Sequence, residues 1–157
     1  MTAFRQLEYE SALASLKVEK FAAITKINLD YCEIRANLIH DRNVKLAALK
    51  KVYNDAITVN KCHRRELWAE KCRIENTFPV DVDAIADNIA QSNELHRQAG
   101  VLTEQLSKDI SDVKSAYYAK KHELQTNEKQ ELAALEQEFN NKRIQIFTQF
   151  AKEGGDA

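Results

Sequence analysis

The chain contains a single proline, Pro79, and it stands at the midpoint of the 157 residues. Proline interrupts a helix because it lacks a backbone N–H and because it steers the preceding residue out of the helical region. The three glycines are Gly100 and the pair Gly154 and Gly155 near the C-terminus. A sheet protein of this length would need several turns rich in Gly, Pro, Asn or Asp. The sequence therefore predicts helix on both sides of one central turn, which runs from Thr77 to Asp83.

The composition agrees with an all-α fold. Hydrophobic residues make up 44% of the chain and charged residues 30%, which is typical of a soluble folded protein that is richer than average in charge. Alanine, leucine, glutamate, lysine and glutamine, the strong helix formers, dominate both halves. We predict one helical domain over residues 1–157, with a first helix over about 3–76, a turn over 77–81, a second helix over about 82–152 and a frayed tail at 153–157.

The apolar residues of the first half follow the spacing of a coiled coil, with steps of three and four residues. The pattern weakens at residues 40–43 and resumes in a shifted frame at Leu46 and Leu49. Such a shift predicts a local stutter or bend. The alternative is a full break, where Asp41 or Asn43 caps a new helix. The clearest part of the pattern is Ile24, Ile27, Tyr31, Ile34 and Leu38.

The second half has the same apolar spacing around one unusual residue, Gly100. A glycine inside a helix costs about 1 kcal/mol relative to alanine. It therefore indicates either a kink or the close approach of a partner helix. The apolar series after it is Leu102, Leu106, Ile110, Val113 and Tyr117.

Folding the chain at Pro79 places residue i opposite residue 158 − i. Residues 1–78 contain 14 Lys or Arg against 10 Asp or Glu, whereas residues 79–157 contain 9 against 14. Opposite net charges, +4 and −5, favour two helices lying side by side. The basic stretch 45–73 would face the more acidic stretch 85–113. At the other end, Phe4, Tyr9 and Phe21 would face the region of Phe139, Phe147 and Phe150.

A hairpin of two such helices would be marginally stable alone, because each helix buries only one seam. A helix of 75 residues would be about 110 Å long. We therefore expect a long antiparallel coiled-coil hairpin that pairs with a second copy or another protein. The alternative is a hairpin bent near residues 40–44 and at Gly100 into a shorter bundle.

The pattern of reactive residues does not predict an enzyme. None of His40, His63, His96 and His122 lies in a Glu-x-x-His or His-x-x-x-His pair. Cys62 and Cys72 are about 15 Å apart on one helix, too far to share a metal. No glycine-rich loop or strand-to-helix corner is present to bind phosphate or to activate a nucleophile. We expect no catalytic residue, no metal and no cofactor.

The cellular compartment is predicted from the cysteines and from the apolar runs. Cys32, Cys62 and Cys72 are an odd number scattered through helical segments, which favours free thiols in a reducing compartment. The N-terminus lacks the pattern of a signal peptide, and no run of eighteen apolar residues could span a membrane. The sequence predicts a cytoplasmic protein without membrane contact.

Two apolar surfaces are candidates for protein contacts. The first surrounds the turn and is expected to bind a partner protein, although Phe78 could instead fold back on the helix ends. The second is a wide apolar stripe near the C-terminus, which predicts a homo-oligomer because a wide stripe needs more than one neighbour. Part of that stripe could instead complete the seam within the hairpin. The candidates are Trp68, Phe78, Val80 and Val82 at the turn, and Phe139, Ile144, Ile146, Phe147 and Phe150 in the stripe.

The sequence therefore predicts a non-enzymatic protein–protein interaction module: an adaptor, scaffold, assembly factor or inhibitor that acts through helical surfaces. The alternative is a nucleic-acid-binding accessory protein, although the net charge of −1 provides no general attraction for phosphate. Its candidate phosphate contacts lie in the basic segment 61–73. They are Lys61, Arg64, Arg65, Lys71 and Arg73.

Overall fold

The structure, a computed structural model, describes residues 2–155. These residues form two α-helices and no strand: α1, Ala3–Glu75, and α2, Val82–Gly155. The helices pack against each other as a hairpin, which confirms the predicted all-α fold and its turn at 77–83. Helix α1 ends one residue before the predicted end. Helix α2 includes residues 153–155, which were predicted to be frayed, and residues 156 and 157 of that predicted tail lie outside the described residues.

Both helices are continuous at the places where a break was considered. Residues 40–44 are helical throughout, so the predicted alternative of a new helix capped by Asp41 or Asn43 is wrong. Gly100 is also in regular helix, and a Cβ added there would have no neighbour within 4 Å. The glycine therefore does not mark a close approach of the two helices of this chain.

The inward-facing residues of both helices follow an 11-residue repeat, with successive steps of three, four and four residues. Eleven residues in three turns correspond to about 3.67 residues per turn, close to the 3.6 of an α-helix. The apparent frame shift in α1 is therefore one step of a regular repeat and not a local stutter. The buried and half-buried positions in α1 include Leu13, Leu16, Lys20, Ile24, Ile27, Tyr31, Arg35, Leu38, Arg42, Leu46 and Leu49; those in α2 include Leu102, Leu106, Ile110, Val113, Tyr117, Lys121, Leu124, Glu128, Leu132, Leu135 and Phe139.

One position of this repeat in α1 alternates between tyrosine and a basic residue. Such side chains bury an aromatic ring or an alkyl stem while the polar end reaches the edge of the interface. At Arg42, where the apolar pattern weakens, the guanidinium lies 4.4 Å from the centre of the Tyr117 ring. A polar residue thus fills the place where an apolar one was expected. The residues at this position are Tyr9, Lys20, Tyr31, Arg42, Tyr53 and Arg64.

The contacts divide the hairpin into two compact units, Met1–Ile39 with Tyr118–Ala157 (the terminal unit) and His40–Tyr117 (the central unit). In the terminal unit, ion pairs join basic residues of α1 to acidic residues of α2. Lys20 Nζ lies 2.6 Å from Glu136 Oε2. The predicted register places position 138 opposite Lys20, so the observed partner is two residues away from it. The basic partner is on α1 and the acidic partner on α2, as the opposite net charges of the two halves predict. The other two pairs are Arg5 with Glu153 and Arg35 with Glu128.

The most buried apolar residues of the terminal unit are Tyr31 and Phe139, each 6% exposed. Burial raises the pKa of Tyr31, and its hydrogen bond to Glu131 raises that pKa further. Tyr9 packs edge-to-face against Phe150, with ring centres 5.5 Å apart, as the predicted register requires. Phe4 and Phe21 were predicted to face this aromatic region, and that prediction is wrong. Both lie away from the interface between the helices, with 69% and 74% of their surface exposed.

Two buried asparagines connect the helices in the central unit. Asn60 of α1 donates its side-chain amide to the Leu95 carbonyl at 2.8 Å, and Asn88 of α2 donates to the Leu67 carbonyl at 2.8 Å. Both asparagines are 6% exposed. Leu95 lies three residues from position 98, which the predicted register places opposite Asn60. The stretch 45–73 therefore faces 85–113 as predicted, and these amide–carbonyl bonds are among the hydrogen bonds that join the two stretches.

Ion pairs of the basic stretch do not cross between the helices among the described residues. Each one joins two residues of α1 that are three or four positions apart, so the opposite charges of the two stretches do not form ion pairs here. The pairs are Lys51 with Asp55, Lys71 with Glu75 and Arg73 with Glu70.

Candidate interaction surfaces

The turn between the helices is held by local hydrogen bonds. The Thr77 hydroxyl donates to the Arg73 carbonyl at 2.8 Å and covers the end of α1. The Asp81 carboxylate accepts from the Ala84 N–H at 3.0 Å and caps the start of α2. The bond Phe78–Pro79 is cis. The two hydrogen bonds of Thr77 and Asp81 hold the backbone of the turn at both helix ends.

The apolar side chains of the turn point into solvent. Phe78 is 94% exposed and Val82 is 71% exposed, while Val80 is 45% exposed. Phe78 does not fold back on the helix ends, which was the alternative considered for it. An exposed apolar group of this kind marks a contact site when it belongs to a contiguous patch. We name Phe78, Val80 and Val82 the tip.

Trp68, the fourth predicted partner-binding residue, lies on α1 and not in the turn. It stands seven residues before the end of the helix, about 10 Å along the axis. Its side chain is 70% exposed and lines an open groove with Lys61, Arg64 and Arg65. Trp68 thus belongs to an aromatic and basic surface beside the tip.

A second, acidic groove of about 620 Å³ crosses the central unit. A hydrogen bond from Arg73 lowers the pKa of Glu70, and a hydrogen bond from Arg97 lowers the pKa of Glu94. Both carboxylates are therefore ionised at neutral pH. The residues that line this groove are His63, Glu66, Leu67, Glu70, Gln91, Glu94 and Leu95.

The five candidate phosphate contacts are not equally available. Lys71 pairs with Glu75, and Arg73 pairs with Glu70. Arg64 is half-buried, because its Nε donates to Asn60 Oδ1 at 2.8 Å and its Nη1 lies 3.2 Å from His96 Nδ1. Lys61 and Arg65 are exposed. The segment is therefore a mixture of paired and exposed cations beside an acidic groove.

The predicted self-association stripe divides into buried and exposed members. Phe139 is buried, and Ile146 and Phe150 are half-buried in the seam of the terminal unit, as the alternative reading anticipated. Ile144 and Phe147 are 56% and 60% exposed, although the Phe147 ring centre lies 6.5 Å from that of Tyr9. The surface of this stripe that is open to a partner consists of Ile144 and Phe147.

The apolar face of α1 opposite the seam escaped the sequence reasoning. Leu7, Val18 and Leu29 are between 64% and 69% exposed, and they recur every 11 residues. The buried Asn60 and Asn88 also escaped it. The 11-residue repeat is the signal in the sequence for these five residues. It places Asn60 and Asn88 at positions that face the other helix, and it relates Leu7, Val18 and Leu29 to one another on the opposite face of α1.

Within residues 2–155, no group of three or more His, Cys, Asp or Glu side chains is placed to hold a metal ion. Neither described helix has a stretch long and apolar enough to cross a membrane. Comparison with protein-family models, with curated proteins and with solved structures finds no match.

Proposed function

We propose that this protein is a non-enzymatic protein–protein interaction module whose tip binds a partner protein. The observation that carries the proposal is the exposure of Phe78, at 94%, between two well-capped helix ends. Removing an aromatic ring from water stabilises a complex more than most other contacts do. Because the ring makes no packing contribution to the turn, it is available to bind a pocket on a partner protein.

The mode of recognition is contact along helix faces, with the tip as anchor. Val80 and Val82 extend the apolar surface on the α2 side of the turn. On α1, Trp68 adds an aromatic ring beside exposed Lys61 and Arg65, so a partner that combines an apolar pocket with acidic residues fits this end of the hairpin. Such a module acts as an adaptor, scaffold, assembly factor or inhibitor.

Self-association is the second part of the proposal. No side chain is less than 2% exposed among the described residues, and many seam positions hold charged groups. A hairpin with so shallow a core gains stability from a further neighbour. Ile144 and Phe147 provide apolar surface for such a contact in the terminal unit.

We place this interaction in the cytoplasm. All three cysteines are free, with Cys32 and Cys62 exposed and Cys72 half-buried. Exposed thiols that are not paired with each other suit a reducing compartment.

The test is capture of partners by the intact protein from cells that produce it, followed by comparison with Phe78→Ser. The matched control is Val52→Ser, because Val52 is an exposed apolar residue of the same unit, at 69%, but lies far from the turn. We expect proteins bound by the wild type and by the control to be lost from Phe78→Ser. A partner set that is unchanged by Phe78→Ser, and by Val82→Ser, would show that the tip is not the binding site.

A further inference from the structure

The face of α1 away from the seam bears a second stripe with the spacing of a packing interface. We name this set of seven residues the outer stripe. All seven are exposed, and none is charged, in a chain in which 30% of residues are charged. Their steps of four, three, four, four, three and four residues are those of a seam that packs against another helix. The outer stripe consists of Leu7, Ser11, Ala14, Val18, Ala22, Thr25 and Leu29.

The outer stripe has the same order of side chains from either end: leucine, a small hydroxyl residue, alanine, valine, alanine, a small hydroxyl residue and leucine. Two copies placed antiparallel about Val18 therefore set Leu7 against Leu29 and Ala14 against Ala22. A two-fold interface requires this kind of self-complementary surface, because each residue meets its counterpart twice. The alanines on both sides of Val18 allow the two helix axes to approach closely.

We propose that the outer stripe is a homodimer interface in which α1 of one copy packs antiparallel against α1 of a second copy, with the two-fold axis at Val18. The proposal rests on the self-association part of the proposed function, and it assigns the contact to a different face from Ile144 and Phe147.

The exposed area leaves ample surface for such a contact. The chain exposes 11598 Å², whereas a compact monomer of 18.0 kDa exposes about 8,000 Å². A stable homodimer buries about 800 Å² of each partner. The two-helix hairpin therefore leaves more surface uncovered than a compact monomer does, and the outer stripe is part of that surface.

Two charged residues near the ends of the outer stripe have favourable neighbours in the antiparallel arrangement. Pairing residue i with residue 36 − i brings Glu33 to the level of Ala3, the first residue of the partner's α1. The first turn of α1 contains no acidic residue, and a carboxylate near a helix N-terminus is stabilising. Lys26 comes within two residues of Glu8 on the same side. Nearer the two-fold axis, Glu19 comes within two residues of its own copy, so the support from charge comes from the ends of the outer stripe and not from its centre.

Disulfide cross-linking tests the arrangement directly, in a chain whose three native cysteines are replaced by serine. Val18→Cys should form a disulfide-linked dimer on mild oxidation, because the two Cα atoms meet at the two-fold axis. Leu7→Cys alone should not, since the two copies of that residue would be about 33 Å apart. A mixture of Leu7→Cys and Leu29→Cys chains should form the linked heterodimer. A cross-link of Leu7→Cys to itself would overturn the antiparallel arrangement.

Solution mass separates this proposal from the proposed function. We expect the wild type to have twice the monomer mass of 18.0 kDa and Val18→Glu to fall to the monomer mass, with unchanged helical content. The control is Val52→Glu, since Val52 is as exposed as Val18, at 69%, and should leave the mass unchanged. A dimer that survives Val18→Glu but dissociates on Phe147→Ser would overturn the outer stripe and leave self-association standing. A wild type that is monomeric at every concentration would overturn both, whereas partner capture by the tip would stand on its own result.

Discussion

The buried Asn88 should stabilise the hairpin through a single well-defined hydrogen bond. Its amide donates to the Leu67 carbonyl of the opposite helix at 2.8 Å, and its side chain is 6% exposed. Replacing Asn88 with alanine removes the donor and leaves space in the seam. A hydrogen bond of this kind contributes about 0.5–1.5 kcal/mol net, and the lost packing adds to that amount. We expect the interaction to be worth about 1–2 kcal/mol in the free energy of unfolding.

The measurement needs a control because alanine is a better helix former than asparagine by about 0.5 kcal/mol. Asn93→Ala provides it, since Asn93 is an exposed residue of the same helix five positions later. The gain in helix propensity is the same in both variants, so their difference isolates the buried bond. Asn88→Asp is a second probe, because an ionised carboxylate cannot donate to the Leu67 carbonyl and should destabilise more than alanine does.

Urea unfolding followed by circular dichroism at one fixed protein concentration gives the free energies, since self-association would make stability depend on concentration. Asn88→Ala should unfold at a lower urea concentration than Asn93→Ala. Equal midpoints and slopes for the two variants would refute the reasoning, because the bond between Asn88 and Leu67 would then contribute nothing to pairing of the helices.

Three further experiments probe other parts of the hairpin. Asp81→Ala removes the cap of α2 and should cost about 1 kcal/mol in urea unfolding, whereas Asp83→Ala, which removes no cap bond, should cost less; equal losses would show that the cap is unimportant. Gly100→Ala should stabilise α2 by about 1 kcal/mol because a Cβ there has no neighbour within 4 Å, and a loss of stability would reveal a partner packed at that point. A double-mutant cycle on Lys20 and Glu136 should give a coupling of about 0.5 kcal/mol that weakens in high salt, and a coupling that salt does not change would rule out an ion pair.

The large features of this fold are readable from the sequence because they depend on residues with strong local preferences. One proline at the midpoint and helix formers elsewhere lead to two helices and one turn. The position of the turn then determines the register, and Lys20 with Glu136 and Tyr9 with Phe150 lie close to where that register puts them.

The details that the sequence reasoning missed concern polar residues at seam positions. A search for apolar residues ends at Arg42, because an arginine there looks like a break in the pattern. Its alkyl stem nevertheless packs in the seam while its guanidinium covers Tyr117. Counting by 11 from Ile27 through Leu38 and Leu49 leads to Asn60, but only the structure shows that its amide finds a carbonyl partner. Exposure at the tip was equally hidden, since Phe78 could have packed on the helix ends.

The 11-residue repeat also makes the hairpin adjustable in length by whole repeats. Removing residues 43–53 from α1 and 105–115 from α2 would shorten each helix by about 16 Å and rejoin the seam in phase, because Asn54 would take the place of Asn43. The tip and the outer stripe would both be untouched by this deletion. Removing nine residues from each helix, by contrast, would rotate one half of the seam by about half a turn and out of contact. The number of repeats in the central unit can therefore be varied by design without rebuilding either proposed binding surface.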